Sequence, residues 1–183
     1  MFIPEIYDGY AFEKAVLGVS STEICGEVKD FFKSDINRRC RYSHFIKAVQ
    51  VVKDIQAKIG NWNPDEPATE IARALLESVK INLKNRRENL KFYTSVGTLL
   101  DYKYGADCFF ILTDKNCEAI VTIDLTISRT KRRSKADIVL TADDLRDDRR
   151  YHKIMQQIAD SLVRKVIKNR KRSKYLDKRR NYR

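Results

Sequence analysis

Two strongly apolar segments separated by a four-residue turn constrain the fold of this chain more than any other feature. Residues 107–113 (DCFFILT) and 118–126 (EAIVTIDLT) are rich in β-branched and aromatic side chains, which favours strands. The turn Asp114-Lys115-Asn116-Cys117 is too short for a crossover, so the two strands are predicted to pair antiparallel. Both strands are apolar on both faces, which indicates a buried sheet.

Helical periodicity flanks this hairpin on both sides. Apolar residues recur at helical spacing in three segments before it and in one long segment after it. The third helix is predicted to run to Leu90, and residues 92–101 and 136–141 are predicted to add two strands. The chain is therefore expected to form an α/β domain, bordering on α+β, with a small mixed sheet of about four strands flanked by helices. The predicted helix N-caps are Thr22 (or Ser21), Ser43, Thr69 and Thr141.

A proline-containing segment divides the predicted elements. Pro64 and Pro67 deny the chain helical hydrogen bonds and mark a linker or long turn after the second helix. The predicted organisation is an N-terminal helical part at residues 1–62, an α/β core at 63–163 and a basic C-terminal tail at 164–183.

The positive charge of the chain is concentrated in that tail. Residues 164–183 carry eleven Lys and Arg against the single Asp177, whereas the whole chain has a formal charge of +12. Such a polycation releases counterions when it meets nucleic acid, which predicts a nucleic-acid partner. A solvated helix end and an anchor to anionic membranes are the open alternatives. The cations assigned to binding are Arg164, Lys165, Lys168, Arg170, Lys171, Arg172, Lys174, Lys178, Arg179 and Arg180.

Several classes of protein lack support in the sequence. No apolar run reaches the roughly 20 residues that span a bilayer, and the N-terminus has no basic region before an apolar stretch. The four cysteines form no CxxC pair, which favours a reduced, cytoplasmic chain without a zinc site. The motifs of serine hydrolases, zincins, P-loop NTPases and dinucleotide-binding proteins are missing.

Hairpin register predicts a pair of aspartates. If the turn is centred between Lys115 and Asn116, paired residue numbers sum to 231, and Asp107 faces Asp124 with Cβ atoms about 4.5–5.5 Å apart. Like charges at that distance are destabilising unless a cation lies between them or one is protonated. Mg²⁺ or Mn²⁺ would meet this need, because hard cations take carboxylate oxygens. The alternative is that both aspartates, which are near strand ends, only meet water.

The order of acidic residues resembles the PD-(D/E)XK (restriction-endonuclease-like) nuclease superfamily. A helix bearing Glu is followed by Gly105-Ala106-Asp107 and then, across the hairpin, by Val121-Thr122-Ile123-Asp124-Leu125-Thr126. The similarity covers residues 69–145. It implies a restriction-endonuclease-like fold in which Asp107 and Asp124 bind the metal. A helix glutamate, Glu77 ahead of Glu70, would complete the metal shell.

The chain departs from the superfamily at its lysine. Thr126 stands two positions after the second acid, where the superfamily places a lysine that positions and activates the attacking water. Lys135, or less favourably Lys131, could supply that charge from the following loop; alternatively these lysines, with Arg132 and Arg133, hold phosphates. The resemblance implies a Mg²⁺- or Mn²⁺-dependent nuclease. The expected substrate is DNA, from a viral or mobile-element setting, and a homodimer is expected because two strands need two active sites. The alternative is a non-catalytic nucleic-acid-binding protein on a degenerate nuclease-like fold.

Overall fold

The structure is a computed structural model that describes residues 9–18, 41–59, 62–84, 89–115, 117–127 and 134–180. The first predicted helix with its N-cap Thr22 (or Ser21) lies outside these ranges, as do the loop cations Lys131, Arg132 and Arg133. For four cations of the predicted tail only the helical backbone is described: Lys174, Lys178, Arg179 and Arg180.

Helices precede, interrupt and follow four strands. The helices are α1 (Gly9–Leu17), α2 (Arg41–Ile59), α3 (Glu70–Leu83), α4 (Leu99–Tyr104), α5 (Ala142–Arg146) and α6 (Asp148–Arg180). The strands are β1 (Leu90–Thr94), β2 (Cys108–Asp114), β3 (Cys117–Thr126) and β4 (Ile138–Thr141).

The strands form one mixed sheet in the order β1-β2-β3-β4. The first three strands are an antiparallel meander, and β4 lies parallel to β3. The β2–β3 ladder runs from Asp114 paired with Cys117 to Cys108 paired with Ile123, which confirms the predicted register along the ladder. Lys115 adopts a left-handed conformation (φ 56°), as tight hairpin turns require. The predicted mixed α/β sheet of four strands flanked by helices is confirmed.

Helices cover both faces of the sheet because alternate residues of the central strands are apolar on each side. On one face, Phe110 and Leu112 of β2 join the apolar sides of α1, α3 and α6 in the larger core cluster. On the other face, Phe109 and Ile111 pack with α2 and α4. Each fully buried side chain of this size contributes about 1.5–3 kcal/mol to stability.

The third helix is shorter than predicted. Its N-cap is Thr69 as expected, with Oγ1 accepting from the N–H of Ala72 at 3.0 Å. The helix ends at Leu83, because Lys84 turns to a positive φ of 52° that an α-helix cannot continue. Leu90 is the first residue of β1 instead of the last apolar position of α3.

The predicted strand at 92–101 is wrong beyond Thr94. Residues 99–104 form α4, whose N-cap Thr98 accepts from the N–H of Leu100 at 3.2 Å. Gly105 closes α4 in the left-handed conformation (φ 58°) that glycine tolerates best. This short helix carries the chain from β1 to the start of β2.

The last predicted helix is two helices. Thr141 caps α5 through a capping box with Asp144, but α5 ends after five residues. Asp147 is extended, and its Oδ1 accepts from the N–H groups of Arg149 and Arg150 at 3.0 and 3.1 Å. These bonds begin α6, so an aspartate that stops one helix starts the next.

Helix α6 runs through the predicted boundary at residue 164. Val166 is fully buried, and Lys165 and Arg170 form ion pairs with Asp137 and Asp114. The first two turns of the predicted tail therefore belong to the packed domain. None of the described helices is both long enough and apolar enough to cross a membrane.

We expect deletion of residues 164–183 to lower the melting temperature by at least about 5 °C, because Val166 and both ion pairs are lost. The matched deletion of 176–183 should leave it nearly unchanged, since those residues lie beyond these contacts. Thermal melting followed by circular dichroism measures both. Equal melting temperatures for the two deletions would contradict this placement of the domain edge.

Candidate functional site

Asp107 lies one residue before β2, where the ladder becomes irregular. Its N–H donates to the carbonyl oxygen of Ile123 at 2.9 Å, although Ile123 is paired with Cys108. Asp107 and Cys108 on one strand thus both lie opposite Ile123 on the other, which is the arrangement of a β-bulge. The direct pairing of Asp107 with Asp124 predicted from the hairpin is therefore not made, because one extra residue enters at the end of the ladder.

The bulge also shifts the alternation of side chains. Ala106 packs with Phe109 and Ile111, whereas strict alternation would place it with Phe110 and Leu112. The slip occurs at Asp107. Counting residues from the ladder therefore does not determine which face of the sheet Asp107 occupies.

The side chain of Asp107 is instead fixed to the backbone of β3. Its Oδ2 accepts from the N–H of Leu125, the residue after Asp124, at 2.6 Å. Asp107 and Asp124 retain only 5% and 2% of their exposure. The two carboxylates are therefore neighbours at the buried end of the hairpin, reached by a different geometry from the one predicted.

Burial raises the pKa of Asp107 to about 8. Loss of hydration is the largest cause, and the negative charges of Glu13, Asp101 and Asp124 raise it further; the hydrogen bond from Leu125 opposes them. Near neutral pH this carboxyl is therefore largely protonated unless a positive charge comes close.

The same carboxylates act on the next residue of β2. Burial raises the pKa of the Cys108 thiol, and the charges of Asp107, Asp124 and Glu13 add to it. The thiol is accordingly neutral and unreactive. All three acids act on the pKa of this thiol, so Asp107, Asp124 and Glu13 of α1 all lie near the start of β2.

The helix glutamate that the sequence assigned lies elsewhere. Glu77 is exposed, and its Oε1 accepts from Nζ of Lys80 at 2.7 Å; Glu70 is also exposed. Glu13 of α1 is the helix glutamate whose charge acts on Asp107. Sequence reasoning missed it because α1 was not assigned, although Phe12 and Val16 flank Glu13 at helical spacing.

Thr126 and Lys135 lie near this end of the sheet. Thr126 is buried at the end of β3, where it pairs with Thr141 in the parallel ladder. Lys135 is exposed, and its Nζ donates to the carbonyl oxygen of Lys103 at 2.9 Å. Lys103 lies in the last turn of α4, two residues before Gly105. This hydrogen bond therefore joins Lys135 to the segment that leads from α4 through Asp107 into β2.

The cations assigned to nucleic-acid binding divide into two groups. Nζ of Lys165 donates to both carboxylate oxygens of Asp137 at 2.7 Å, and Arg170 pairs with Asp114, so these two stabilise the domain. Arg164 is exposed and contacts Ser161. Three others are exposed on α6 with no carboxylate partner in the described part of the chain: Lys168, Lys171 and Arg172.

The donor set is compatible with a magnesium ion. Among the described residues no group of three or more His, Cys, Asp or Glu side chains is arranged to hold a metal. Mg²⁺ does not require one, since it is commonly held by one or two carboxylates and keeps several waters. Asp107 and Asp124 supply two buried carboxylates whose repulsion a cation would relieve.

The chain matches no protein-family model, and searches of curated proteins and of solved structures return no match. The functional assignment therefore depends on the residues and their geometry.

We expect the stability of the protein to fall as the pH rises from about 4 to 8, because folding raises the pKa of Asp107 from 3.8 to about 8. Stability from the protonated carboxyl is present below the lower value and is lost as pH passes through the upper one. The loss reaches at most about 1.4 kcal/mol per pH unit. Urea unfolding at several pH values measures it, and Asp107→Asn should remove this component; an identical pH slope in both proteins would refute it.

We expect Glu13→Gln to lower the pKa of Asp107, since it removes one of the charges that raise it. The matched variant Glu77→Gln should leave it unchanged, because Glu77 is exposed and paired with Lys80. Carbon-13 NMR titration of the Asp107 carboxyl measures both effects. If Glu77→Gln changes the pKa of Asp107 more than Glu13→Gln does, Glu77 is the helix glutamate that acts on Asp107, as assigned from the sequence.

Proposed function

We propose that the protein is a metal-dependent nuclease that hydrolyses phosphodiester bonds in DNA, with Asp107 and Asp124 holding Mg²⁺ or Mn²⁺. The observation that carries the proposal is the burial of these two aspartates at one end of the β2–β3 hairpin, where the charge of Asp124 acts on Asp107. Two carboxylates in such a place are costly as charges and are stabilised by a cation.

Each nearby residue has a role in this proposal. The hydrogen bond from Leu125 fixes one oxygen of Asp107, while Glu13 adds negative charge to the site. A bound divalent cation would lower the pKa of a water and neutralise charge on the phosphate. Lys135, anchored beside the Asp107 connection, offers a positive charge to a phosphate.

The basic surface of α6 supports a nucleic-acid substrate. Lys168, Lys171 and Arg172 are exposed without a carboxylate partner in the described part of the chain, so they keep their charge for phosphates. Such contacts are blind to sequence and sensitive to salt. Such contacts fit an enzyme that binds the phosphate backbone of DNA without recognising particular bases.

A second candidate is a nucleic-acid-binding protein without catalysis. Thr126 favours it, because a hydroxyl supplies no positive charge at the position where the nuclease superfamily that the sequence resembles carries lysine. In that case the buried aspartates are structural, with Asp107 protonated and bonded to Leu125. The α6 surface then performs the whole function.

We expect the full chain to cleave DNA in Mg²⁺ or Mn²⁺, and Asp124→Asn to reduce the rate at least about 100-fold. Asp160→Asn, an exposed aspartate on α6 bonded to Gln156, is the matched control and should cleave normally. Duplex, single-stranded and branched DNA are compared on gels. Retained binding with no cleavage in either ion would establish the second candidate.

Metal binding can be measured independently of catalysis by thermal melting. Saturating Mn²⁺ should raise the melting temperature by about 5 °C or more through linkage, and the Asp124→Asn variant should not respond. The control Asp160→Asn should respond as the wild type does. Equal responses in all three proteins would place the ion away from the hairpin.

A further inference from the structure

A groove lies between α2, the first half of β3 and α6, away from the acidic end of the hairpin. It encloses about 280 Å³. Its floor is apolar, made by Phe45, Ile46, Val49 and Ile120, and its α6 side carries Lys168 and Arg172. A volume of this order is at the lower limit of small-ligand sites, and suits a unit about the size of one nucleobase.

Two of the three cations that line the groove, Lys168 and Arg172, have no carboxylate partner in the described part of the chain and can bind an anion. They lie four residues apart on α6, which places them on one face of the helix. The third cation, Lys165, pairs with Asp137 at 2.7 Å, and Glu118, which also lines the groove, is neutralised by Lys53 at 3.2 Å. The rim of the groove is therefore positive.

The apolar floor distinguishes between kinds of nucleic acid. Ile46 keeps 39% of its exposure, so part of its apolar surface is accessible from the groove. Bases in a duplex present only their edges, whereas an unpaired base can lay its apolar face on such a floor. A charged rim beside an apolar floor thus fits an unpaired strand better than a duplex.

The groove and the acidic site share a strand of the sheet. Ile120 and Asp124 are four residues apart on β3, or roughly 13 Å along an extended strand. Tyr175, one turn beyond Arg172 on α6, is 57% exposed and continues the basic surface with an aromatic ring. A single chain of nucleotides could follow α6 through the groove and pass beside the hairpin.

We propose that this groove binds single-stranded nucleic acid, with an unpaired base on Phe45, Ile46, Val49 and Ile120 and the adjoining phosphates on Lys168 and Arg172. The proposal deepens the nucleic-acid partner proposed above and does not need catalysis. The groove selects a flexible strand by its apolar floor and holds it by charge.

The test is fluorescence anisotropy of the full chain with a labelled 12-mer of thymidylate and with a duplex of the same length, in EDTA. The double variant Lys168→Gln/Arg172→Gln should reduce the slope of log affinity against log salt for the single strand by about 1.4. The charge-matched control Arg149→Gln/Lys153→Gln, two exposed cations near the start of α6, should leave the slope unchanged.

The floor is tested separately from the charge. Ile46→Ala should weaken single-strand binding about three- to tenfold with the salt slope unchanged, and Ile46→Trp should strengthen it by adding a surface for stacking. Ile81→Ala, at a 73% exposed isoleucine on α3, is the control and should have no effect. Circular dichroism melting verifies that each variant is folded.

Three results would overturn the inference: tighter binding of the duplex than of the single strand, equal loss in the Lys168/Arg172 variant and its control, or no effect of either Ile46 variant. Because binding is measured in EDTA, these results are independent of cleavage. Failure of the nuclease proposal would show instead as missing hydrolysis with the groove effects intact.

Discussion

The antiparallel ladder between β2 and β3, apolar on both faces, is the constraint on which the rest of the structure depends. Because neither face can be left in water, α1, α3 and α6 cover one side, and α2 and α4 cover the other. Any polar group that the hairpin carries inside must then find a partner there. Thr122 does so through Asp137, whose Oδ2 accepts from both its N–H and its hydroxyl, at 2.9 and 3.0 Å.

The same burial gives the aspartates their chemical interest. Asp107 would be an ordinary surface acid on an exposed hairpin, but here loss of hydration, together with the negative charges of Glu13, Asp101 and Asp124, raises the pKa of Asp107 to about 8. The bulge at Asp107 redirects its carboxylate to the N–H of Leu125, so one strand irregularity sets the geometry of the site. Bulges often occur where a side chain has to be re-aimed beside a functional centre.

Helix α6 joins the core to the basic surface. Its buried side supports the sheet through residues such as Val166, while Lys165 ties the helix to Asp137 of the β3–β4 connection. Among the cations of this helix whose side chains are described, Lys168, Lys171 and Arg172 are exposed, and Lys168 and Arg172 line the groove. The charge that marks the C-terminal residues in the sequence is therefore divided between holding the domain together and remaining available to a partner.

Local chemistry determined much of the fold in advance. The register of the hairpin followed from its turn, the starts of α3 and α5 from Thr69 and Thr141, and the mixed sheet from the change of hydrophobic period. These features depend on neighbours in the chain, which a sequence displays directly. The helical segment after Thr98 was misjudged because its β-like residues are overridden by caps at Thr98 and Gly105.

The candidate site could be predicted only in part. Its two aspartates are visible as acids in apolar segments, but their relation depends on a bulge at Asp107, where the ladder predicted from the turn stops. Glu13 reaches them from a helix more than ninety residues away in sequence. The sequence by itself determined that Asp107 and Asp124 stand in or beside apolar strands and that the C-terminal residues are basic. Only the tertiary structure decided that Glu13 lies near Asp107 and that Lys165 and Arg170 are paired while Lys168, Lys171 and Arg172 stay exposed, because that depends on how separate layers close over the sheet.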